Sequence, residues 1–261
     1  MSKAVLSFSG GLDSTTCLLY LIKENYEPNL LTFMYGQKHD YEIKAAREIV
    51  NFLQNKGYHI NHKIVDISSL QDLLQSSLTT SAIDTPKGHY SDPKMKLTVV
   101  PNRNKIFNSI IQAYALSVSD GKDTVHVVSG ITGGSEATYP DTTPEFTQQD
   151  WLAFKLGNWG TEYIHGLFPL NLLNKKEIIQ LGISCCETLN IDFDELYKLT
   201  YTSYIPVELN NKIYSDPSNS ASIKRIEAFS SLNLKDPIEY SDGNKVLSWI
   251  EVMSYNIKNI I

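Results

Sequence analysis

The chain has 261 residues, of which 42% are hydrophobic, 20% charged and 10% aromatic; this excludes disorder and collagen-like structure and leaves room for one or two domains. Lysine plus arginine number 23 against 29 for aspartate plus glutamate, a net charge of −6, so the basic excess of a protein that grips long nucleic acid is missing and a small nucleotide is the more natural ligand. The three cysteines, Cys17, Cys185 and Cys186, suit neither a secreted disulfide scaffold nor a four-cysteine zinc site. The opening MSKAVLSFSGG has no charged leader before a long apolar run, and no stretch of about 18 apolar residues occurs, so the expectation is a cytoplasmic chain with no membrane partner.

Residues 4–8 form a short apolar run, read as a buried strand. Residues 14–24 place Cys17, Leu18, Leu21 and Ile22 at helical spacing. A second strand follows at 30–35, then a helix at 39–54 with Ile43, Ala46, Ile49, Val50 and Leu53 on one face. A third strand is expected at 63–67, an amphipathic helix at 104–118, a strand at 124–129 and a helix at 174–181. Strands alternating with helices over short linkers predict an α/β fold: a Rossmann-like parallel sheet with helices on both faces and right-handed crossovers. Two turn-rich stretches, 76–100 and 130–145, break the rhythm and are expected over the carboxyl ends of the strands, where such sheets bind ligands. Beyond about residue 200 the pattern changes: 201–218 reads as irregular, and 221–232 and 245–260 as helical. The expected division is a domain over 1–200 with a C-terminal helical appendage, 201–261, packed on it.

The strongest local signal is Ser9-Gly10-Gly11-Leu12-Asp13-Ser14, between the first strand and the first helix. Glycine lets the backbone approach an anion closely, and a helix N-terminus offers unpaired N–H groups at its positive end. Ser9, Ser14 and Thr15 add hydroxyls. Asp13 would repel bare phosphate, which points to Mg²⁺ carried with the nucleotide. The ordinary explanation is a glycine turn with Asp or Ser capping the helix. With no lysine, the segment is not the G-x-x-x-x-G-K-[ST] loop.

SGGLDS resembles the loop of the ATP pyrophosphatase superfamily, whose members transfer AMP to a substrate oxygen and then let a nitrogen or sulfur nucleophile displace it. Tyr35-Gly36-Gln37-Lys38-His39 with Glu42, Val100-Pro101-Asn102-Arg103-Asn104, Tyr139-Pro140-Asp141 running to Pro144-Glu145-Phe146, and Pro169-Leu170 with Lys175 and Glu177 then look, in this order, like the 7-cyano-7-deazaguanine synthase family. That resemblance covers the chain to about residue 230. It implies ATP, 7-carboxy-7-deazaguanine and a homodimer. In this reading Asp13, Arg103, Lys175 and His39 are catalytic: Arg103 and Lys175 neutralise phosphate or acyl-adenylate charge, and His39 moves a proton. Ser9, Gly10, Gly11, Leu12, Asp13, Ser14, Thr15 and Tyr35 bind the nucleotide. Tyr139 stacks on the base, Asp141 reads its guanine-like edge, and Gln37 and Lys38 complete the substrate site. Singly, each has an ordinary alternative: Arg103 a surface salt bridge, His39 a helix N-terminal residue, Tyr139 a core aromatic, Asp141 a turn former.

The sequence also departs from the family. The positions of its four zinc cysteines hold Ser203, Asp216, Asn219 and Ser222, ahead of Arg225, so no zinc is expected. Thr142-Thr143 replaces a Cys-Arg pair, and Asn102 a glycine. Retained ATP residues beside an altered acceptor side suggest an activated carboxylate with a different nucleophile: conjugation of the deazaguanine to an amine on a protein partner, such as a nucleotidyltransferase of a CBASS-type antiphage system, with Thr142 and Thr143 lining the path of that amine. The alternatives are a housekeeping nitrile synthase using ammonia and, from a different class, a non-catalytic nucleotide- or deazaguanine-binding module.

Overall fold

The computed structural model describes residues 2–80, 82–88, 93–131 and 139–258. In β1 (Lys3–Ser7), Ala4 and Leu6 point to one face and Val5 to the other, and all three are fully buried. A strand apolar on both sides belongs at the centre of a covered sheet. It pairs in parallel with β2 (Glu27–Met34) on one side and β4 (Val125–Val128) on the other. Outside these lie β3 (Asn61–Asp66) and β5 (Ile164–Leu167), giving the all-parallel order β3-β2-β1-β4-β5. The chain winds outward from β1 to β3, then returns to β4 on the far side of β1. That reversal leaves a crevice at the carboxyl ends of β1 and β4, where sheets of this kind take ligands.

Helices cover both faces, as the alternation predicts. On the Leu6 face lie α1 (Leu12–Lys23), α2 (Tyr41–Asn55) and α5 (Lys175–Leu189), contributing Leu18, Ile49 and Ile178 to one core. On the Val5 face lie α3 (Arg103–Ser119) and α4 (Pro144–Gly157), contributing Ile111, Ala115 and Phe154 to a second.

Several elements differ from the expectation. α4 and β5 were not anticipated; α4 begins inside the second expected loop, with Thr143 Oγ1 accepting from the Phe146 N–H and Pro144 at the first helical position. α5 runs on to Leu189 through Gly182, a residue that suggests a stop. Gly182 is there for a close approach: a Cβ would lie 2.1 Å from the hydroxyl of Tyr197, which ends the short α6 (Phe193–Tyr197). The stretch read as irregular holds an antiparallel hairpin, β6 (Pro206–Leu209) and β7 (Lys212–Ser215). α7 (Ser220–Ser231) then joins the α1–α5 core through Ala228 and Phe229, and α8 (Trp249–Lys258) packs Val252 with Ile226, Ile238 and Tyr240. Residues 81, 89–92 and 132–138 of the two expected loops lie outside the described residues.

Candidate functional site

After β1 the backbone turns through Gly10 at φ +73°, a region open to glycine, and a Cβ there would lie 2.5 Å from the Ala46 nitrogen of α2. Gly10 is therefore fixed twice, by its dihedral and by its neighbour. Its carbonyl accepts from the Tyr201 N–H at 3.0 Å, which ties the loop to the C-terminal part of the chain. Gly11 precedes α1 with no side chain capping the helix, so the first-turn N–H groups face outward. The Ser9 hydroxyl accepts from the Gly11 N–H at 3.2 Å and lies 3.1 Å from the Ser14 hydroxyl, which in turn donates to the Gly11 carbonyl at 3.2 Å. These hydroxyls pre-shape an anion-binding turn.

Lys175 opens α5 and reaches across to both Asp13 oxygens, at 2.7 and 2.6 Å. Its position is set by a reciprocal cap: the Asn174 side chain accepts from the Glu177 N–H at 3.0 Å, and Glu177 accepts from the Asn174 N–H at 2.8 Å. Two of the charged residues predicted for catalysis thus meet at the loop.

The loop divides two cavities, and Ser9, Asp13 and Ser14 border both. One, of about 190 Å³, lies toward Lys175, Lys224, Tyr201 and Thr202. The other, of about 210 Å³, fills the crevice between β1 and β4; Ser7 and Val127 form its floor and Phe107, Trp151 and Phe168 its walls. Arg103 and His39 line neither. They border a smaller pocket of about 30 Å³ with Tyr35, Gln37 and Lys38, which shares Glu42 and Tyr204 with the Lys175 cavity. There Arg103 sits 5.8 Å from the Tyr35 ring centre and donates to the Asn104 side-chain oxygen Oδ1 at 3.3 Å. Burial pushes the Glu42 carboxyl up, with the Arg103 guanidinium pulling it back. Burial also pushes the His39 imidazole down, while the Tyr204 carbonyl 3.4 Å from Nε2 works the other way; Nδ1 is buried with no partner among the described residues.

Other predicted residues are turned to local tasks. Gln37 accepts from the Tyr35 N–H at 2.8 Å and donates to the Phe33 carbonyl, closing the turn after β2. Lys38 donates to the Ile83 carbonyl at 2.8 Å. The Thr15 side chain is fully buried, borders none of these three cavities, and its hydroxyl has no partner among the described residues. The Leu12 side chain joins the core. Tyr139 bonds to the Thr98 hydroxyl at 2.9 Å, and Asp141 sits half-buried in a 3-10 turn; neither borders the three cavities. Thr142 and Thr143, expected along the amine's path, donate to the carbonyls of Tyr139 and Pro140, and Thr143 also caps α4.

Sequence reasoning missed Asp150, which borders the β1–β4 cavity. Lys105, Asn108 and Gln112 of α3 all donate to its carboxylate, the two amides at 3.1 Å each. Their spacing puts them on one helical face, but nothing in the sequence pairs that face with α4. Glu42 was noticed in its motif and given no role.

The four positions matched to zinc cysteines do converge. Asn219, fully buried, donates from its amide nitrogen to the Ser203 hydroxyl at 2.8 Å, the Asp216 carbonyl at 2.8 Å and the Ser222 hydroxyl at 3.0 Å, and accepts from the Ser222 N–H at 3.1 Å. The Asp216 carboxylate turns away to the Ser218 N–H at 2.6 Å. This set does not fit zinc: it offers no thiolate, and an amide donor stands at its centre. Nearby, buried Arg225 makes a bidentate pair with Asp236 at 2.7 and 2.8 Å and donates to the hydroxyls of Thr200 and Thr202, the neighbours of Tyr201. Tyr240 also donates to Asp236, at 2.8 Å.

A parallel sheet with a lysine-free glycine loop at its switch point is the fold of the ATP pyrophosphatase-type enzymes, a class of ATP-using, ligase-like proteins. The family model described as "Queuosine biosynthesis protein QueC" matches residues 3–229, and the chain belongs to that family. It is similar to proteins named 7-cyano-7-deazaguanine synthase from Methanoregula boonei, 39% identical over 91% of this chain and 99% of that one, and from Pseudoalteromonas atlantica, 36% identical over 92% and 99%. Among solved structures, a 4-thiouridine synthetase–RNA complex with bound ATP is 18% identical with a TM-score of 0.45, covering 88% of this chain and 54% of that one. The relatives speak for the synthase alternative; the expected conjugation to a protein partner in antiphage defence is not supported. Among the described residues no helix is long and apolar enough to cross a membrane.

Proposed function

We propose that the chain converts 7-carboxy-7-deazaguanine to the 7-cyano base, using ATP and ammonia. The observation that carries this is the Asp13–Lys175 pair at a pre-shaped anion loop, flanked by two cavities, in a chain whose relatives bear the synthase name. In this reading Ser9 to Ser14 take the β- and γ-phosphates, and Lys175 is released from Asp13 to follow the charge on the leaving pyrophosphate. The oxygen donors of Asp13, Ser9 and Ser14 suit Mg²⁺, which when bound with ATP screens the triphosphate charge. A carboxylate oxygen attacks the α-phosphorus, the bond to the β-phosphate oxygen breaks, and pyrophosphate leaves. Ammonia then attacks the acyl carbon, AMP departs with the shared oxygen, and the amide loses one proton. In a second round the amide oxygen attacks ATP; loss of AMP and two protons gives the nitrile.

His39, kept neutral by burial, and Glu42 are our candidates for accepting those protons, and Arg103 for opposing charge on the adenylate. We assign Tyr139 and Asp141 to the deazaguanine, with Tyr35 flanking Arg103. We further propose that residues 201–261 work with the loop as one unit, supported by the Tyr201–Gly10 bond, and that this unit carries no zinc, supported by the Asn219 network.

Mass spectrometry of products with ATP, 7-carboxy-7-deazaguanine and ammonium tests the reading. The expected result is nitrile with two AMP and two pyrophosphate per product. ADP as the stoichiometric product sinks the chemistry. A primary amide as end product at one AMP, with no nitrile, overturns the nitrile step and leaves an amide-forming ligase.

A further inference from the structure

The small pocket between the turn after β2 and the starts of α2 and α3 measures about 30 Å³, where a single water needs at least about 10–15 Å³. That is room for one or two molecules the size of water and not for a side-chain amine. Leu78, Tyr35 and Tyr204 give it apolar walls. The polar groups around it are engaged elsewhere. The Gln37 amide closes its own turn against the Tyr35 N–H and the Phe33 carbonyl. Lys38 donates to the Ile83 carbonyl, and Arg103 turns two N–H groups to Asn104 Oδ1. His39 keeps Nδ1 buried and Nε2 at the Tyr204 carbonyl. Glu42 is the exception: no hydrogen bond or ion pair from any described residue reaches its carboxylate, although it stands where burial pushes it up. A carboxylate held in such a place without a partner points to function, because structure alone gains nothing from it. Glu42 and Tyr204 also border the Lys175 cavity, which touches Ser9 and Asp13 of the anion loop.

We propose that this pocket is the seat of ammonia and that Glu42 is the catalytic residue that orients it: the carboxylate accepts an N–H of ammonia and turns the nitrogen lone pair toward an acyl group in the Lys175 cavity. This rests on the ammonia-dependent reading above and adds where the nucleophile is held and what excludes larger amines. The charges of Lys38 and Arg103 on the rim oppose ammonium and favour the neutral, nucleophilic form. The Arg103 guanidinium also draws Glu42 back toward its ionised form. The nitrogen attacks the acyl carbon and the C–N bond forms. The adduct's N–H proton passes to the Glu42 carboxylate, the C–O bond breaks, and AMP leaves with the shared oxygen and the electron pair. Glu42 gives its proton to water when the product departs. Size sets specificity, since a methyl group on the nitrogen has to displace Leu78 or a tyrosine, and overpacking a filled pocket is unfavourable.

The test compares two half-reactions in the full chain, with thermal melting to confirm that each variant is folded. Exchange of labelled pyrophosphate into ATP, dependent on 7-carboxy-7-deazaguanine, reads adenylation alone; amide formation reads the nitrogen step. Wild type should use ammonium better than methylamine by about tenfold or more in kcat/KM. Glu42→Gln should raise the KM for ammonium by about tenfold or more while exchange stays within about threefold of wild type. Leu78→Ala, which widens the pocket, should raise methylamine use relative to ammonium by about fivefold or more. Equal use of the two amines by wild type, or an unchanged ammonium KM in folded Glu42→Gln, overturns the inference and leaves ATP use standing. Exchange and amide formation falling together in that variant also overturn it, by giving Glu42 to ATP or to the deazaguanine. If Glu42→Gln does not fold, an unchanged amine ratio in Leu78→Ala overturns the inference by itself. Absence of exchange in wild type removes the functional reading itself.

Discussion

Replacing Asn219 with alanine removes the centre of the network that ties residue 203 to the start of α7. The side chain caps α7 through the Ser222 N–H, and an uncapped helix start costs about 0.5–2 kcal/mol. The same change strips the Asp216 carbonyl and the Ser222 hydroxyl of the amide donor, and a buried polar group left unpaired costs about 1–3 kcal/mol. The Ser203 hydroxyl is less affected, because it also bonds to Ile205 through both the N–H and the carbonyl. Since these terms overlap, the expected loss is about 3 kcal/mol, or about 6–12 °C in melting temperature for a chain of this size. Circular dichroism melts with and without a strong chelator measure it. The chelator should leave the wild-type midpoint in place, and elemental analysis should find far less than one zinc per chain. A wild-type midpoint that falls with chelator, or an Asn219→Ala midpoint within about 2 °C of wild type, would refute the idea that hydrogen bonds hold this region together.

Three more outcomes are expected. Lys175→Met should cut AMP release by about a hundredfold or more while changing stability by only about 1 kcal/mol, because the pair with Asp13 is partly exposed; quench-flow product analysis beside a urea titration separates the two effects. Gly10→Ala must place a side chain at φ +73° and 2.5 Å from the Ala46 nitrogen, so it should destabilise by about 3 kcal/mol or more, and a urea midpoint near wild type contradicts the loop geometry. Burial holds the His39 imidazole below its ordinary 6.5, so the unfolded chain binds that proton more tightly: its contribution is complete above about pH 6.5 and is lost as pH falls through the depressed folded value. Half-buried His62, also held below its ordinary value, acts in the same direction, so urea midpoints at pH 7.5 and 5.5 should show a smaller acid loss, not none, in His39→Gln.

The central sheet was legible because apolar runs bounded by turns allow few alternatives, and SGGLDS announced the loop between a strand and a helix. β5 escaped because Ile-His-Gly-Leu is short, with only Ile164 deeply buried, and carries no run to recognise. α4 was available in principle: Thr143-Pro144-Glu145 is a helix start, read instead as part of a motif. The helix expected over 174–181 runs on to Leu189 because Gly182, just past that end, continues the helix and leaves room for the Tyr197 hydroxyl. Of the site, Asp13 and Lys175 were each singled out for their charge, but their meeting was not legible, because no local pattern brings α1 to α5. The contact of Asp150 with α3 was invisible, because it depends on how two helices on one face of the sheet happen to lie.

The Arg225–Asp236 pair has a consequence for where this chain can be cut. Matching by family ends at residue 229, yet the carboxylate that neutralises the buried guanidinium lies seven residues later, and the tyrosine that steadies it later still. A truncation drawn at the edge of the match would strand a cation in the interior, a loss of about 3–5 kcal/mol from a total that for most proteins is only about 5–15 kcal/mol. It would also loosen Thr200 and Thr202, which bracket the residue bonded to Gly10. During synthesis the phosphate loop would therefore gain its outer support only once Tyr240 had left the ribosome, more than 220 residues after the loop itself was made. Fusion joints and trimmed variants belong beyond that tyrosine.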